Sequence, residues 1–286
     1  MDFATLLVFA TPVALAALGE AVGQRAGVLN IGLEGTMLLG AYAGMIVAFH
    51  TGNPWLGIGA GALVGLLTAA MLAGLCVWLA ADQVVAGTGI VLLALGTTGT
   101  LYRAEFGQSG SLLSVAKLPT WGGVDAVAIG TVGLALLLTW ALARTSWGLA
   151  LRAAGESPEA VDAAGLSARR TRTGALVLGG VLGGIAGAYL CVGVTGSFAE
   201  NMVAGRGFVA IAMVTFGRWN PLGVLAAALG IGYLDSLQYV FQARGGGVPH
   251  QLLLALPYVA ALLVLVAAGR GRAAPAALGE PYGGRS

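Results

Sequence analysis

The chain has 286 residues, of which 58% are hydrophobic and only 9% are charged, and its formal net charge is +2. A mean hydropathy of +0.89 excludes an ordinary soluble domain. Apolar residues form blocks of roughly 17–25 residues, the length of a membrane-crossing helix, without strand-like alternation. We therefore predict an all-α, polytopic helical membrane protein with about nine transmembrane helices and with broken or re-entrant segments.

The apolar blocks predict nine spans in chain order. The seventh is short and contains Arg206, so it either crosses the membrane or only dips into it. The predicted spans are 3–20, 34–49, 56–81, 84–102, 124–143, 173–195, 201–217, 222–241 and 251–268. Together they form a single transmembrane domain, 1–268, followed by a tail, 269–286.

The arginines and lysines predict which side of the membrane each connection faces, because cytoplasmic connections are enriched in them. One side collects Arg25, Arg144, Arg152, Arg169, Arg170, Arg172, Arg218, Arg270, Arg272 and Arg285, and the other Arg103, Lys117, Arg206 and Arg244. The first set predicts a cytoplasmic tail and an N-terminus outside. If the seventh span only dips into the membrane, everything after it inverts. The first apolar run is preceded by Asp2 rather than by the basic residues of a signal peptide, so we expect no cleaved signal peptide.

The chain carries few residues suited to metal or catalytic chemistry. Cys76 and Cys191 fall within apolar spans, and His50 and His250 lie in connections without ligand partners at suitable spacing. No G-x-x-x-x-G-K-[ST], H-E-x-x-H or G-x-S-x-G motif is present in the sequence. We expect no metal, no cofactor and no catalysis, and any ATP would have to be bound by another subunit.

Glycines at helical spacing predict where helices pack closely. The rows are Gly179, Gly183 and Gly187; Gly180 and Gly184; and Gly57, Gly61 and Gly65. Small residues every fourth position give a flat face for another helix. We favour packing within the chain over a subunit interface.

The connection 144–172 is the longest polar stretch on the arginine-rich side and predicts a short helix, Pro158–Ala164. Ser157 suits the N-cap and Gly165 suits the C-terminal stop. Ala160, Ala163 and Ala164 share one small face, edged by the acidic residues Glu156, Glu159 and Asp162. Such a helix either docks into a groove on another protein or is a solvated loop helix.

Four motifs in order resemble the permease subunits of ABC importers in the branched-chain amino acid, ribose and nucleoside group. They are LGEAVGQRAGVLNIGLEG, LRAAGESPEAVDAAGLSARRTR, ENMVAGRGFVAIAMVTFGRWNPLG and LPYVAALLVLVAAGRGRAAPAALGEPY. The resemblance covers almost the whole chain and is nearest to the shorter permease of nucleoside uptake systems. It implies that region 153–166 is a coupling helix docked on an ATPase, with contacts from Ala153, Ala154, Gly155, Glu156, Ser157, Pro158, Ala160, Ala163, Ala164 and Gly165.

The same resemblance implies partners in a bacterial cytoplasmic membrane. They are a second, longer permease subunit, a cytoplasmic ABC ATPase that binds the ATP, and an extracytoplasmic substrate-binding lipoprotein that touches connections 104–123 and 194–206. The permease itself contacts membrane lipid and a small polar substrate, a nucleoside, and no nucleic acid. Simple sugars such as ribose, and branched-chain amino acids, are alternative substrates.

Two interrupted segments predict the substrate path, since free backbone groups in a membrane are tolerated only where protein or water covers them. They are Gly27–Gly35 and Asn201–Gly217, and we expect them to approach each other. The candidate lining residues are Asn30, Glu34, Gln83, Thr88, Thr97, Asn201 and Phe208.

Structural roles for the same polar residues remain open. Glu34 pairs with Arg25 or caps the next helix, and Asn30 satisfies backbone in the break. Asp235 pairs with Arg244 or faces water. A less favoured function is ion-coupled secondary transport, which would use Glu34 and Asp235 as carriers.

Overall fold

The computed structural model describes residues 3–107, 114–243, 259 and 274–282. Its long helices are α1 (Phe3–Arg25), α2 (Leu33–Thr51), α3 (Pro54–Ala73), α4 (Gln83–Phe106), α5 (Ala126–Arg144), α8 (Ala168–Tyr189) and α10 (Pro221–Ala243). The short helices are α6 (Ser146–Glu156), α7 (Pro158–Ala163) and α9 (Arg206–Phe216). A short π-helical segment extends each of two helices: Gly74–Trp78 follows α3 and Leu190–Thr195 follows α8. The strands Thr120–Trp121 (β1) and Val124–Asp125 (β2) pair antiparallel.

Eight of the nine predicted spans coincide with described helices, and the predicted all-α class is confirmed. Within the described ranges, six helical stretches are long and apolar enough to cross a membrane, and α9 and residues 221–237 are shorter apolar helices. With the π-helical extensions included, the boundaries of these helices differ from the predicted ones by up to five residues: α1 continues to Arg25 rather than ending at residue 20, α8 begins at Ala168 rather than 173, and α9 begins at Arg206 rather than 201. The ninth predicted span, 251–268, lies outside the described residues except for Val259, which is helical.

Side-chain caps fix where several helices begin. Asn53 accepts a hydrogen bond from the backbone N–H of Trp55 and starts α3. Asp82 accepts two such bonds at 2.9 Å and starts α4, and Asp125 does the same for α5. Each carboxylate occupies the positive end of the helix dipole and satisfies amides that have no partner in the first turn.

Helix α8 lies at the centre of the bundle and packs through glycine on three neighbours. Gly180 and Gly184 face Gly61 and Gly65 of α3, and Gly179 faces Gly19 of α1. A Cβ placed on Gly61 would lie 2.6 Å from the carbonyl oxygen of Gly184, so the two backbones are in direct contact. The predicted glycine rows therefore face each other within the chain.

Helix α1 is buried on every side from Ala10 to Gln24, which explains why it is apolar all round. Helices α4 and α5 are peripheral and expose long aliphatic side chains. Their outward-facing residues include Leu92, Leu93, Leu136 and Leu137, each more than half exposed. These faces suit contact with lipid or with another membrane helix.

The segment around α9 crosses the bundle as a broken element. With 11 residues, α9 is about 16 Å long, which is too short for a hydrocarbon layer of about 30 Å. Arg206 at its start lines a cavity with Phe9, near the first turns of α1, whereas Trp219 bonds Gln24 at the last turn of α1. The chain thus passes from one end of α1 to the other, with a helix only in the second part of the passage.

The contact of α3 with α8 predicts that Gly61 tolerates no side chain. Gly61→Ala should lower the free energy of unfolding by about 1–3 kcal/mol through overpacking, measured as earlier thermal unfolding of the detergent-solubilised chain. Gly59→Ala, two residues away on α3 with open space around it, is the matched control and should be neutral. Equal behaviour of the two variants would contradict the packing described.

Candidate functional site

The two predicted breaks meet at one carboxylate. Glu34, in the first turn of α2, is buried and accepts backbone N–H bonds from Gly205 and Gly207, both at 2.7 Å. The amides belong to the N-terminus of α9, whose positive end the carboxylate neutralises. Of the structural alternatives, Glu34 therefore caps a helix, and the helix is α9 rather than the next one along the chain.

A buried polar cluster lines the first break from the side of α1. Glu20 accepts hydrogen bonds from the Gln24 side chain at 3.0 Å and from the backbone N–H of Asn30 at 3.2 Å. The indole N–H of Trp219 donates to Gln24 at 2.8 Å. The first break and the turn that follows the second break are thus attached to the end of α1 by side-chain hydrogen bonds. Sequence reasoning singled out Asn30 and Glu34 and missed Glu20, which lies inside a helix with no interruption to mark it.

Gln83 attaches the first break to α4. Its side-chain oxygen accepts a hydrogen bond from the backbone N–H of Leu29 at 2.8 Å. Glycine allows the chain to lie close there, since a Cβ on Gly87 would come within 2.7 Å of the amide of Gly32. The side-chain oxygen of Asn30 is buried and has no protein partner in the described residues. A buried acceptor without a partner costs free energy, so this atom is available to a donor entering the break.

A second charged pair lies beyond the cap. Arg206 forms an ion pair with Asp235 of α10 at 3.6 Å, and both side chains are mostly buried. They line a cavity of about 110 Å³ together with Phe9 and Met202. Arg244, the other proposed partner of Asp235, lies outside the described residues.

The remaining candidates lie apart from this buried cluster. Thr88 and Thr97 are on the outward side of α4, where each hydroxyl donates to a backbone carbonyl of its own helix. Asn201 is exposed, with φ +56°, and Phe208 on α9 is 47% exposed. The structure therefore separates a buried group, Asn30, Glu34 and Gln83, from the other four candidates. Of these, Thr88, Asn201 and Phe208 are exposed and Thr97 is half-buried.

The predicted short helix is α7, and it is firmly mounted on the bundle. The Ser157 hydroxyl caps it by accepting from the backbone N–H of Ala160, and Gly165 ends it at φ +80°. Pro158 and Val161 are buried beneath it. Of the proposed docking residues, Ala160, Ala163, Ala164, Gly165 and Glu156 are exposed.

Other residues of the proposed docking set lie inside. Ala154 and Gly155 are buried, Ala153 and Ser157 are half-buried, and they close the end of α6. They pack next to α7, whereas Ala160, Ala163 and Ala164 are exposed on its outer side, with Glu159 and Leu166 exposed beside them. Helix α6 was not predicted, because its alternating small and apolar residues read as part of a loop.

The tail residues 274–282 return to this same end of the bundle. The backbone N–H of Ala277 donates to the carbonyl of Gly155 at 2.9 Å, and Tyr282 donates its hydroxyl to Asp162 at 2.8 Å. The amide of Ala168 and the Tyr282 hydroxyl hold the pKa of Asp162 below its usual value. The carboxylate therefore stays charged, and this contact persists, until the pH falls below the normal carboxyl range.

Arg172 joins the tail, the first break and α6. Its guanidinium donates to the backbone carbonyls of Ala26, Ala154, Ala277 and Glu280. Tyr282 stacks beneath the same guanidinium at 5.7 Å. Five donors in a planar fork suit this position, which a lysine could fill only in part.

The opposite end of the bundle brings the two predicted outer connections together. The backbone N–H of Val115 donates to Gly196, and that of Leu118 to Val192, at 2.9 and 3.0 Å. Arg103 and Glu200 form a two-pronged ion pair, which holds the pKa of Glu200 below its usual value. The connections thus form one surface.

Comparison with known proteins identifies the family. The model of the branched-chain amino acid transport system permease component matches residues 3–268. This chain is a member of that permease family. The permease is 32% identical to the nucleoside ABC transporter permease protein NupC of Lactococcus lactis, over 98% of this chain and 95% of the relative.

Two further relatives match over most of their length. The guanosine ABC transporter permease protein NupQ of Bacillus subtilis is 31% identical over 96% of the permease and 94% of its own chain. The putative glucose ABC transporter permease protein TsgC13 of Haloferax volcanii is 38% identical over 80% and 74%. No solved structure matches the permease. The predicted family and the predicted multi-pass membrane location are confirmed.

The cap on α9 predicts graded effects at Glu34. Glu34→Ala leaves two buried amides without an acceptor and should lower the free energy of unfolding by about 1–3 kcal/mol. Glu34→Gln keeps one acceptor oxygen, so the unfolding temperature of the purified Gln variant should lie between those of the Ala variant and the wild type. Glu105→Gln, at an exposed pair with His50, is the control and should be neutral. Wild-type stability of Glu34→Ala would exclude the cap.

Arg172 predicts how firmly the tail is held. Arg172→Lys loses most of the four carbonyl contacts, so a tag added after the C-terminus should be removed faster by limited proteolysis. Arg170→Lys, two residues earlier and exposed, is the matched control and should be cleaved at the wild-type rate. Equal cleavage of all three proteins would show that the tail is not anchored by Arg172.

Proposed function

We propose that the permease translocates nucleosides as a non-catalytic subunit of an ABC importer, driven by a separate ATPase. The observation that carries the proposal is α7. Ala160, Ala163 and Ala164 are exposed, while Pro158 and Val161 beneath them are buried. A small, smooth face on a rigid mount can transmit a push from a docked protein without repacking.

The proposed coupling route runs from α7 to the breaks. Arg172 bonds the α6–α7 region and the carbonyl of Ala26, at the start of the first break. From there Gln83 and Glu34 connect the break to α4 and α9. In this proposal movement of α7 is transmitted to the first break. Alternating access results when the two breaks shift relative to each other.

The relatives support the choice of substrate. Two of them are named as nucleoside and guanosine permeases and match nearly the whole chain. In this proposal the free side-chain oxygen of Asn30 accepts a hydrogen bond from a ribose hydroxyl or a base edge, and Phe208 offers apolar surface to the base. In this proposal Thr88, Thr97 and Asn201, which lie apart from Asn30, line the part of the path that a second, longer permease completes.

The proposed partners have separate surfaces. The ATPase docks on α7, which projects at the arginine-rich end. The substrate-binding lipoprotein docks on the surface formed by residues 114–118 and 192–200 at the other end. The outward faces of α4 and α5 are available to the second permease and to lipid.

A simple sugar is the second candidate substrate, favoured by the 38% identity to a putative glucose permease. Ion-coupled transport has less support, because both carboxylates suggested as carriers have structural partners. Glu34 caps α9 and Asp235 pairs with Arg206.

Uptake of labelled nucleosides, glucose, ribose and branched-chain amino acids should be compared in cells with and without the gene. The proposal expects loss of nucleoside uptake that requires ATP and survives collapse of ion gradients; loss of gradient-driven uptake would overturn it.

The docking face predicts a transport defect without a folding defect. Ala160→Arg or Ala163→Arg should abolish uptake and detach the ATPase, while the amount of permease in the membrane stays at the wild-type level. Ala163→Ser, which keeps a small side chain, should transport normally. Co-purification of the ATPase and uptake are the two measurements, and normal uptake by both arginine variants would remove the coupling role of α7.

A further inference from the structure

A second cavity lies at the arginine-rich end, apart from the docking face, and Trp219 is the residue of the polar cluster described above that lines it. It has a volume of about 360 Å³ and lies between the last turns of α1 and α5, helix α6 and the turn 217–220 that precedes α10. A single water occupies roughly 30 Å³ in the liquid, so the cavity has room for a much larger group.

Three arginines line this cavity. Arg25, Arg152 and Arg218 come from three separate elements, and no aspartate or glutamate in the described part of the chain lines it with them. Three guanidinium groups around a concave surface attract an anion. Phosphate suits them particularly, because the planar fork of arginine donates two parallel hydrogen bonds to its oxygens.

The turn that carries Arg218 is held in an unfavourable conformation. Arg218 and Trp219 both have left-handed backbone, with φ of +53° and +56°, which non-glycine residues rarely adopt. Two contacts lock it there. The Trp219 indole donates to Gln24 at 2.8 Å, and the Arg25 Nε donates to the Trp219 carbonyl at 2.9 Å. The cavity is therefore preformed, and backbone strain of this kind concentrates at functional positions.

The position of the cavity favours a lipid over a soluble ion. It lies at the ends of three apolar helices, where a membrane surface would be. Thr139 and Ala143 line it, and on the same face of α5 Leu136 and Trp140 are 55% and 59% exposed. Leu222 is exposed at the start of α10. An apolar surface thus leads away from the arginines toward the membrane interior.

We infer that this cavity binds the phosphate of an anionic phospholipid, with the acyl chains lying along α5 and the start of α10. Basic pockets between membrane helices on the cytoplasmic side are suited to such headgroups. Free inorganic phosphate shares the headgroup chemistry but has nothing to place on Leu136 and Trp140. The inference does not depend on which solute the permease transports.

The test uses the full chain in nanodiscs of phosphatidylcholine with a minor fraction of phosphatidylglycerol. Native mass spectrometry would count the phosphatidylglycerol retained on release from the disc. Arg152→Gln with Arg218→Asn removes two of the three arginines, and asparagine tolerates the left-handed backbone at 218. Retention should fall roughly tenfold or more, because two of the three charges that attract the headgroup are lost.

The control variant, Arg144→Gln with Arg170→Gln, removes the same charge from the same end but outside the cavity, and it should retain lipid like the wild type. Arg152→Gln alone should show a smaller loss and serves if the double variant does not fold. Equal retention by the control and the double variant would overturn the site. A melting temperature raised by inorganic phosphate in pure phosphatidylcholine discs, without selective lipid retention, would overturn the lipid as ligand in favour of a soluble anion.

Discussion

Glycine contacts, with backbone against backbone, join α8 to α1, α2 and α3. Gly184 meets Gly61, Gly179 meets Gly19, and Gly187 lies against the backbone of Met37. Between membrane helices there is little hydrophobic gain, so dispersion from such close approach supplies much of the attraction. The packing also fixes the height at which α2 begins, because Leu33 lies against Gly183. Residues 26–32 must therefore span the remaining distance as irregular chain.

That irregular chain explains the polar side chains of the interior. Backbone amides freed by a break cannot reach water inside a packed bundle, so side chains must satisfy them. Glu34 serves α9, Glu20 serves Asn30, and Gln83 serves Leu29. The same residues make the breaks stiff enough to move as a unit and polar enough to meet a hydrophilic solute. Packing and transport thus impose compatible requirements on this region.

Much of the fold follows from sequence because apolar length, glycine spacing and capping residues are local signals. Ser157, Pro158 and Gly165 were sufficient to place α7, and the glycine rows identified the close-packing faces of α3 and α8, although not that these two faces meet. Contacts between distant segments had no such signal. Nothing local indicates that Arg172 would bond Ala277, or that Arg206 would pair with Asp235. The candidate site was predicted in part for the same reason: the interrupted stretches were visible, whereas Glu20, within a continuous helix, was not.

The bond from Glu34 to Gly205 has a consequence for the order of synthesis. The two residues are 171 positions apart, so at ~5–20 residues per second a ribosome needs roughly 10–30 s to complete the second after the first. Throughout that interval α2 must carry a carboxylate whose amide partners do not yet exist. The insertion machinery or water must solvate this carboxylate in the meantime, because moving it into lipid without hydrogen-bond partners is unfavourable. Assembly of this bundle is thereby delayed until α9 has been made.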